Sequence, residues 1–176
     1  MRIGLISDTH IPAAGRQLWP QVYDAFRGVD LIMHAGDLYI PAVLDWLAEV
    51  APVIAVSGNG DYAGWQGNKP VRDPRLPETQ LLEVDGLRIG MIHILGSPES
   101  PPYYTWERTL ERYFGGPVDV IVHGDTHVEE IRTYSGVLLV NPGSPTFPRN
   151  MQLRLGTIGF LEIEEGRVHP TVQQLS

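Results

Sequence analysis

The 176 residues carry 21 Asp plus Glu against 13 Lys plus Arg, a formal net charge of −8, with 43% apolar residues and 19% charged. That length and composition fit one globular domain, 1–176, and the acidic surplus argues against extended nucleic-acid binding or residence on an anionic membrane. No apolar run reaches the ~18 residues of a membrane span, and the N-terminus turns polar at Ser7-Asp8, too early for a signal-peptide core. Cysteine is absent, which removes disulfides, thiolate metal sites and cysteine nucleophiles. A cytoplasmic protein is the expectation.

In the first half, short apolar runs alternate with helix-like stretches. Ile3 to Ile6, Leu31 to Met33 and Val53 to Val56 read as buried strands. Leu18 to Phe26 and Pro41 to Val50 read as helices between them, the second with Pro in its first turn. This order predicts a parallel sheet with crossover helices. The second half is richer in hairpins: Gln80 to Val84 and Leu87 to His93 flank Asp85-Gly86, a strong turn signal. Tyr103 to Phe114 reads as a helix stopped by Gly115-Gly116-Pro117, followed by a strand at Val118 to Val122. Two further hairpins follow, Glu129 to Tyr134 with Val137 to Val140, and Thr157 to Ile163 with Arg167 to Gln173. The expected fold is α/β, two sheets packed face to face with helices outside. Two Gly- and Pro-rich stretches, Tyr62 to Thr79 and Gly96 to Pro102, read as functional loops.

Polar residues able to ligate metals gather where these strands end. Asp8-Thr9-His10 follows the first strand, His34-Ala35-Gly36-Asp37 the second and Gly58-Asn59-Gly60-Asp61 the third. His93 closes the fifth, and His123-Gly124-Asp125-Thr126-His127 follows the sixth. Ligands of open α/β sheets bind beyond the carboxyl ends of strands. Taken singly, each residue has a plainer explanation. An Asp after a strand is often a cap, His34 before a glycine fits a structural histidine, and His169 falls in the C-terminal hairpin. The joint occurrence of the series is what points to a metal site.

The series Asp8-x-His10, Gly36-Asp37, Gly58-Asn59-x-Asp61, His93 and Gly124-x-Thr126-His127 closely resembles the motifs of the calcineurin-like metallophosphoesterases. Asn141-Pro142-Gly143-Ser144, with Pro148-Arg149 beyond, is similar to the small single-domain phosphodiesterase branch, which is related to a retromer subunit used as a protein-interaction scaffold. The resemblance spans residues 4 to about 149 and implies a four-layer αββα sandwich with a two-metal site. It implies that Asp8, His10, Asp37 and His127 hold one ion, and that Asp37 bridges to a second held by Asn59, His93 and Asp125. Mixed carboxylate, amide and imidazole donors suit Mn²⁺ first, with Fe, Ni²⁺ or Zn²⁺ as alternatives. The implied reaction is attack of a metal-bridging hydroxide on a small phosphodiester, such as a cyclic nucleotide, with Asn59 and His93 at the reacting centre. A phosphomonoesterase and a non-catalytic scaffold are the competing readings.

Three positions depart from the family pattern. Asp125 stands where histidine is usual; His123, two residues earlier on the same strand face, is the other candidate for that ligand. Gly60 stands where many members place a general-acid histidine, so good leaving groups should be hydrolysed far better than alkoxides. Ile94 follows His93 in place of glycine. Outside the motifs, Trp65, Lys69, Arg72 and Arg75 suggest either a lid or a solvated loop. Tyr103, Tyr104 and Trp106 are candidates for stacking a nucleobase or for the core. Arg149 is a candidate for binding phosphate or for a surface ion pair. Oligomeric state is not legible.

Overall fold

The computed structural model describes residues 1–63, 70–98, 105–150 and 153–176. Strands β1 (Arg2–Ile6), β2 (Leu31–His34) and β3 (Val53–Ala55) alternate with helices α1 (Pro20–Ala25) and α2 (Ala42–Ala48), and a short helix α3 (Asn59–Ala63) follows. Then come β4 (Thr79–Val84), β5 (Leu87–Ile92), α4 (Trp106–Phe114), β6 (Val120–Val122), β7 (Glu130–Tyr134) and β8 (Val137–Asn141). A 3₁₀ turn (Pro148–Asn150) and the hairpin β9 (Thr157–Glu164) and β10 (Arg167–Gln174) complete the chain.

The strands form two five-stranded mixed sheets, ordered β10-β9-β1-β2-β3 and β4-β5-β6-β8-β7. In the first, the parallel run β1-β2-β3 ends at the edge strand β3 and is continued on its other side by the antiparallel pair β9 and β10. In the second, the parallel centre β5-β6-β8 has an antiparallel strand at each edge. Alternation along single strands separates three apolar layers. Ile3, Leu5, Met33, Ile89, Met91 and Val122 fill the space between the sheets. Ile6 and Ile32 face away from it, toward Val22, Phe26, Val43 and Leu47 on the α1–α2 side. Ile92, Ile121 and Leu139 face Trp106, Leu110 and Phe114 of α4. Strands buried on both faces read as continuous apolar runs for this reason. The result is the expected αββα sandwich.

The three expected hairpins form, turning at Asp85-Gly86, Ser135-Gly136 and Glu165-Gly166. Both residues of each pair have φ between 47° and 84°, the backbone of a type I′ turn. Helices α1 and α2 are shorter than the sequence reading: α1 ends at Ala25, not Phe26, and α2 spans Ala42–Ala48 within the expected Pro41 to Val50. α1 begins at Pro20 and not at Leu18, because Trp19 is held extended, ψ 145°, as the residue before a proline tends to be. α4 is described from Trp106, capped by the Thr105 hydroxyl. The start expected at Tyr103 falls outside the described residues.

Both sheets seat a helix by the same device. A Cβ on Gly4 of β1 would fall 2.7 Å from the Phe26 ring, and one on Gly90 of β5 would fall 2.7 Å from the Phe114 ring. A glycine in the strand lets an aromatic ring lie directly on the sheet. Gly90→Ala is therefore expected to cost about 1–3 kcal/mol through overpacking, read as a lower urea midpoint. An unchanged midpoint would show that Phe114 yields freely.

Candidate metal centre

The site lies beyond the carboxyl ends of the central strands and takes residues from both sheets. Asp8, His10, Asp37 and Asn59 follow β1, β2 and β3, while His93, Asp125 and His127 follow β5 and β6. The loops are laced to one another: Asp8 N–H donates to the Gly36 carbonyl at 2.9 Å, His10 N–H to that of Asp37 at 3.0 Å and Gly124 N–H to that of His93 at 3.0 Å. Asp8, His10, Asp37, Tyr39, Asp125 and His127 all have φ between 52° and 71°. Left-handed backbone is costly for residues with a Cβ, though Asp and His tolerate it better than most. Its concentration here turns successive side chains toward one point.

Two groups of possible ligand atoms converge, Asp8 with His10 and His127, and Asp8 with Asp37 and His93; within each group the atoms lie within 4.8 Å of one another. Nε2 of His127 stands 3.3 Å from Asp8 Oδ1, and that of His93 stands 3.8 Å from it. His10 Nε2 is 3.5 Å from Asp37 Oδ2, and His93 Nε2 is 3.6 Å from Asp37 Oδ1. Asp8 Oδ1, His10 Nε2 and His93 Nε2 are nevertheless buried without a hydrogen-bond partner. Buried polar atoms are rarely left so, and a cation among them would satisfy all three.

The imidazoles are also set in the tautomer a metal needs. His93 Nδ1 lies 2.6 Å from the Ala35 carbonyl and His127 Nδ1 2.9 Å from that of Phe147. A carbonyl only accepts, so Nδ1 carries the proton and the Nε2 lone pair faces the cluster. Burial alone would raise the Asp8 carboxyl, but His10, His127 and His93 outweigh it and hold that group well below the usual carboxylate range. Burial, joined by the carboxylates of Asp8 and Asp61, pushes the Asp37 carboxyl up against the pull of His93 and the Gly60 N–H. Carboxylates crowded in this way suit divalent cations.

Several residues hold the ligands without facing the cluster. Asp61 accepts backbone N–H bonds from Asp37 (2.9 Å), Leu38 (3.1 Å), Tyr39 (2.8 Å) and Gly58 (2.8 Å), stapling the β2 and β3 loops together. Ser144 Oγ donates to the Asp8 carbonyl at 2.8 Å and Thr146 Oγ1 to that of Thr9 at 3.0 Å. Asn141 Nδ2 donates to the Gly124 carbonyl at 2.9 Å, so the Asn141-Pro142-Gly143-Ser144 segment buckles the β1 and β6 loops. His34 accepts from Gly36 N–H at Nδ1 and meets Thr9 Oγ1 with Nε2 at 3.1 Å. Burial pulls its pKa down to about 3, so it is a neutral structural residue.

The remaining sequence candidates separate by position. Asn59 and Asp125 are exposed and line an open cleft of about 420 Å³ with His10, Asp37, Tyr39 and His127. The Asp125 N–H donates to Asp8 Oδ2 at 3.2 Å, while its carboxylate belongs to neither converging group. His123 points elsewhere, with Nε2 3.3 Å from Glu130. Arg149 is exposed and forms an ion pair with Glu129, not bordering the cleft. Arg75 is clamped to Asp73 and Asp45 at 2.7 and 2.6 Å, so it serves the surface as the solvated-loop alternative held. Arg72 and His169 are exposed. Trp106 is buried against Tyr134, rings 5.4 Å apart, which makes it core and removes it as a stacking platform. Trp65, Lys69, Tyr103 and Tyr104 lie outside the described residues. Tyr39 was not singled out by the sequence, because a tyrosine beside a Gly-Asp turn carries no local signal of its own.

Residues 1–166 match the calcineurin-like phosphoesterase superfamily domain, and the chain belongs to that superfamily. It is 40% identical over 151 residues to a "probable metallophosphoesterase" of Methanothermobacter thermautotrophicus, covering 85% of this chain and 80% of the relative. A phosphodiesterase of Methanocaldococcus jannaschii is 25% identical, with 94% and 95% covered. A Thermotoga maritima protein solved in solution superposes with a TM-score of 0.71 at 27% identity, covering 99% of both chains. Vps29 of Entamoeba histolytica, solved with Zn²⁺, shares the fold with a TM-score of 0.66 at 22% identity and 99% of both chains covered. The protein is thus a metal-dependent phosphoesterase by family, acting on small phosphoesters. No helix among the described residues is long and apolar enough to cross a membrane.

Two predictions follow from this geometry. Asp61→Ala strands four backbone donors and should cost at least about 2 kcal/mol, with metal affinity lost as Asp37 drifts. Wild-type urea midpoint and metal stoichiometry together would show the staple to be dispensable. For His127, burial lowers the pKa, but Asp8 and the Phe147 carbonyl more than reverse this, leaving it above 6.5 in the metal-free protein. The His127–Asp8 pair then contributes stability that is fully present below pH 6.5 and lost as pH rises through the raised folded value. A metal needs the neutral ring, so Mn²⁺ affinity should climb across that same window. Titration calorimetry at several pH values checks this; a flat affinity would exclude His127 as a ligand.

Proposed function

We propose that the chain hydrolyses a small organic phosphodiester at a dinuclear centre, with Mn²⁺ the favoured ion and Fe, Ni²⁺ or Zn²⁺ as alternatives. Asp8, His10, Asp37 and His127 would hold one ion; Asp37, Asn59, His93 and Asp125 would hold the second. When bound, two such ions supply Lewis acidity toward phosphoryl oxygens and a lowered pKa for water. The observation that carries the choice of diester is the charge of the cleft. Its described lining contains Asp37 and Asp125 but no Lys or Arg. A diester brings one negative charge to such a site, whereas a monoester near neutral pH brings close to two, with no side-chain cation to meet the second.

A diester also has an organic group on each side of phosphorus. A smaller recess of about 200 Å³, lined by Ser57, Tyr62, Glu78, Ile94 and Tyr113, adjoins the main cleft and shares Asn59 with it. Two recesses meeting at one proposed ligand offer space for both arms. Aromatic walls from Tyr39 and Phe147 in one, and from Tyr62 and Tyr113 in the other, suit flat substituents, nucleotides among them.

Metal-stripped protein reloaded with Mn²⁺ should turn over an aryl phosphodiester, and faster than the matching monoester. Asp37→Ala should lower that rate by at least about a hundredfold, since even outer-shell partners of a metal are worth 10–100-fold. Faster monoester hydrolysis would overturn the diester assignment. Intact metal binding with no turnover of either ester would favour the scaffold reading.

A further inference from the structure

If the main cleft binds a phosphate ester, as proposed above, something besides metal must contact the anionic oxygens that face away from the ions. Among the described lining residues, the donors not assigned to metals are the Asn150 amide and the Tyr39 hydroxyl. Asn150 is exposed, and one of its two amide hydrogens goes to the Thr126 carbonyl at 3.3 Å. The neighbouring guanidinium, that of Arg149, is engaged by Glu129 and does not line the cleft. Tyr39 is the buried and positioned donor of the two.

Its position is closely determined. The Tyr39 backbone is held left-handed at φ 71°, with its N–H donating to Asp61 Oδ1 at 2.8 Å. Its ring lies 4.5 Å from that of His10, tilted by 38°. Below it, a Cβ on residue 60 would fall 2.4 Å from Tyr39 Cε1, so the ring occupies space that only a glycine leaves open. The residue is 5% exposed and lines the cleft. Its hydroxyl forms no hydrogen bond among the described residues and is not sealed from the cleft. A ring fixed on three sides with a free polar end is preorganised to donate without further ordering.

We infer that the Tyr39 hydroxyl is a substrate-binding donor of this site, giving a hydrogen bond to an oxygen of the bound phosphoryl group. No proton is transferred. The hydroxyl holds the anion in place against the proposed metals.

Tyr39→Phe is the informative variant, because it keeps the ring against His10 and Gly60 and removes only the hydroxyl. With Mn²⁺ loaded, the variant should match wild type in metal stoichiometry and melting temperature. Its affinity for inorganic phosphate, measured by calorimetry, should fall roughly tenfold to a hundredfold, as expected for a lost hydrogen bond to a charged group. Its kcat/KM on an aryl phosphodiester should fall in parallel, which a purely packing role would not produce. Unchanged phosphate affinity in Tyr39→Phe would overturn the inference, as would failure of the Mn²⁺-loaded wild type to bind phosphate. If wild type binds phosphate but hydrolyses no diester, the proposed reaction fails, while the comparison of phosphate affinities still decides the role of Tyr39.

Discussion

The structure turns on one carboxylate. Asp8 is fully buried at the seam between the two sheets, where a lone negative charge would be strongly unfavourable. Imidazoles from both sheets surround it: His10 from the β1 loop, and His93 and His127 from the loops after β5 and β6. Those rings reach Asp8 only if the two sheets are packed in this register, so the apolar layer between the sheets and the polar cluster at its edge specify one another. The compensation is incomplete, because ligand atoms in the cluster are left without partners. A fold that buries a charge, surrounds it with lone pairs and leaves the set unsatisfied is organised around a cation.

The cluster is kept in shape by residues that never face it. Asp61 gathers four backbone N–H groups of the β2 and β3 loops, and Ser144 and Thr146 grip the Asp8 and Thr9 carbonyls. Bonds from carbonyls to the Nδ1 atoms of His93 and His127 choose the tautomer. Most of these partners are backbone groups. The arrangement therefore depends on loop conformation more than on any single side-chain pair, and the left-handed residues at the site are the cost of that conformation.

Much of this was legible in the sequence. Three turn dipeptides with glycine second announced the hairpins, because type I′ geometry demands positive φ at both positions. Alternating short apolar runs and helical stretches implied the first sheet. Asp8, His10, Asp37, His93 and His127 were visible because their spacing from strand ends is a local property. What escaped notice was non-local. Tyr39 gains its place from Gly60 and His10, in separate loops. Asp61 stands out as part of the Gly58-Asn59-x-Asp61 motif, but its role as a backbone staple across two loops has no local signal. Trp106 at the start of a helix fitted either a stacking platform or the core, and the packing of α4 on Tyr134 decides for the core. Strand alternation made His123 an outside alternative to the favoured Asp125; the His123 ring turns toward Glu130, while the Asp125 carboxylate joins neither converging group.

The acidic surplus acquires a more specific meaning from the site. Across the whole chain, −8 reads as a surface poorly suited to anions. Yet the described cleft holds Asp37 and Asp125 and no Lys or Arg, so in the metal-free protein, once pH exceeds the raised pKa of His127, it repels the phosphate it would need to bind. With the proposed ions bound, affinity for an anionic substrate would depend largely on metal occupancy, since those ions would be the largest local charges and would reverse the sign of the field. Metal binding and substrate binding become thermodynamically linked, each strengthening the other by the same factor. Neutral donors such as a tyrosine hydroxyl fit this design better than arginine would. They hold a phosphoryl oxygen without adding a fixed positive charge, which would weaken the hold of the same carboxylates on their cations.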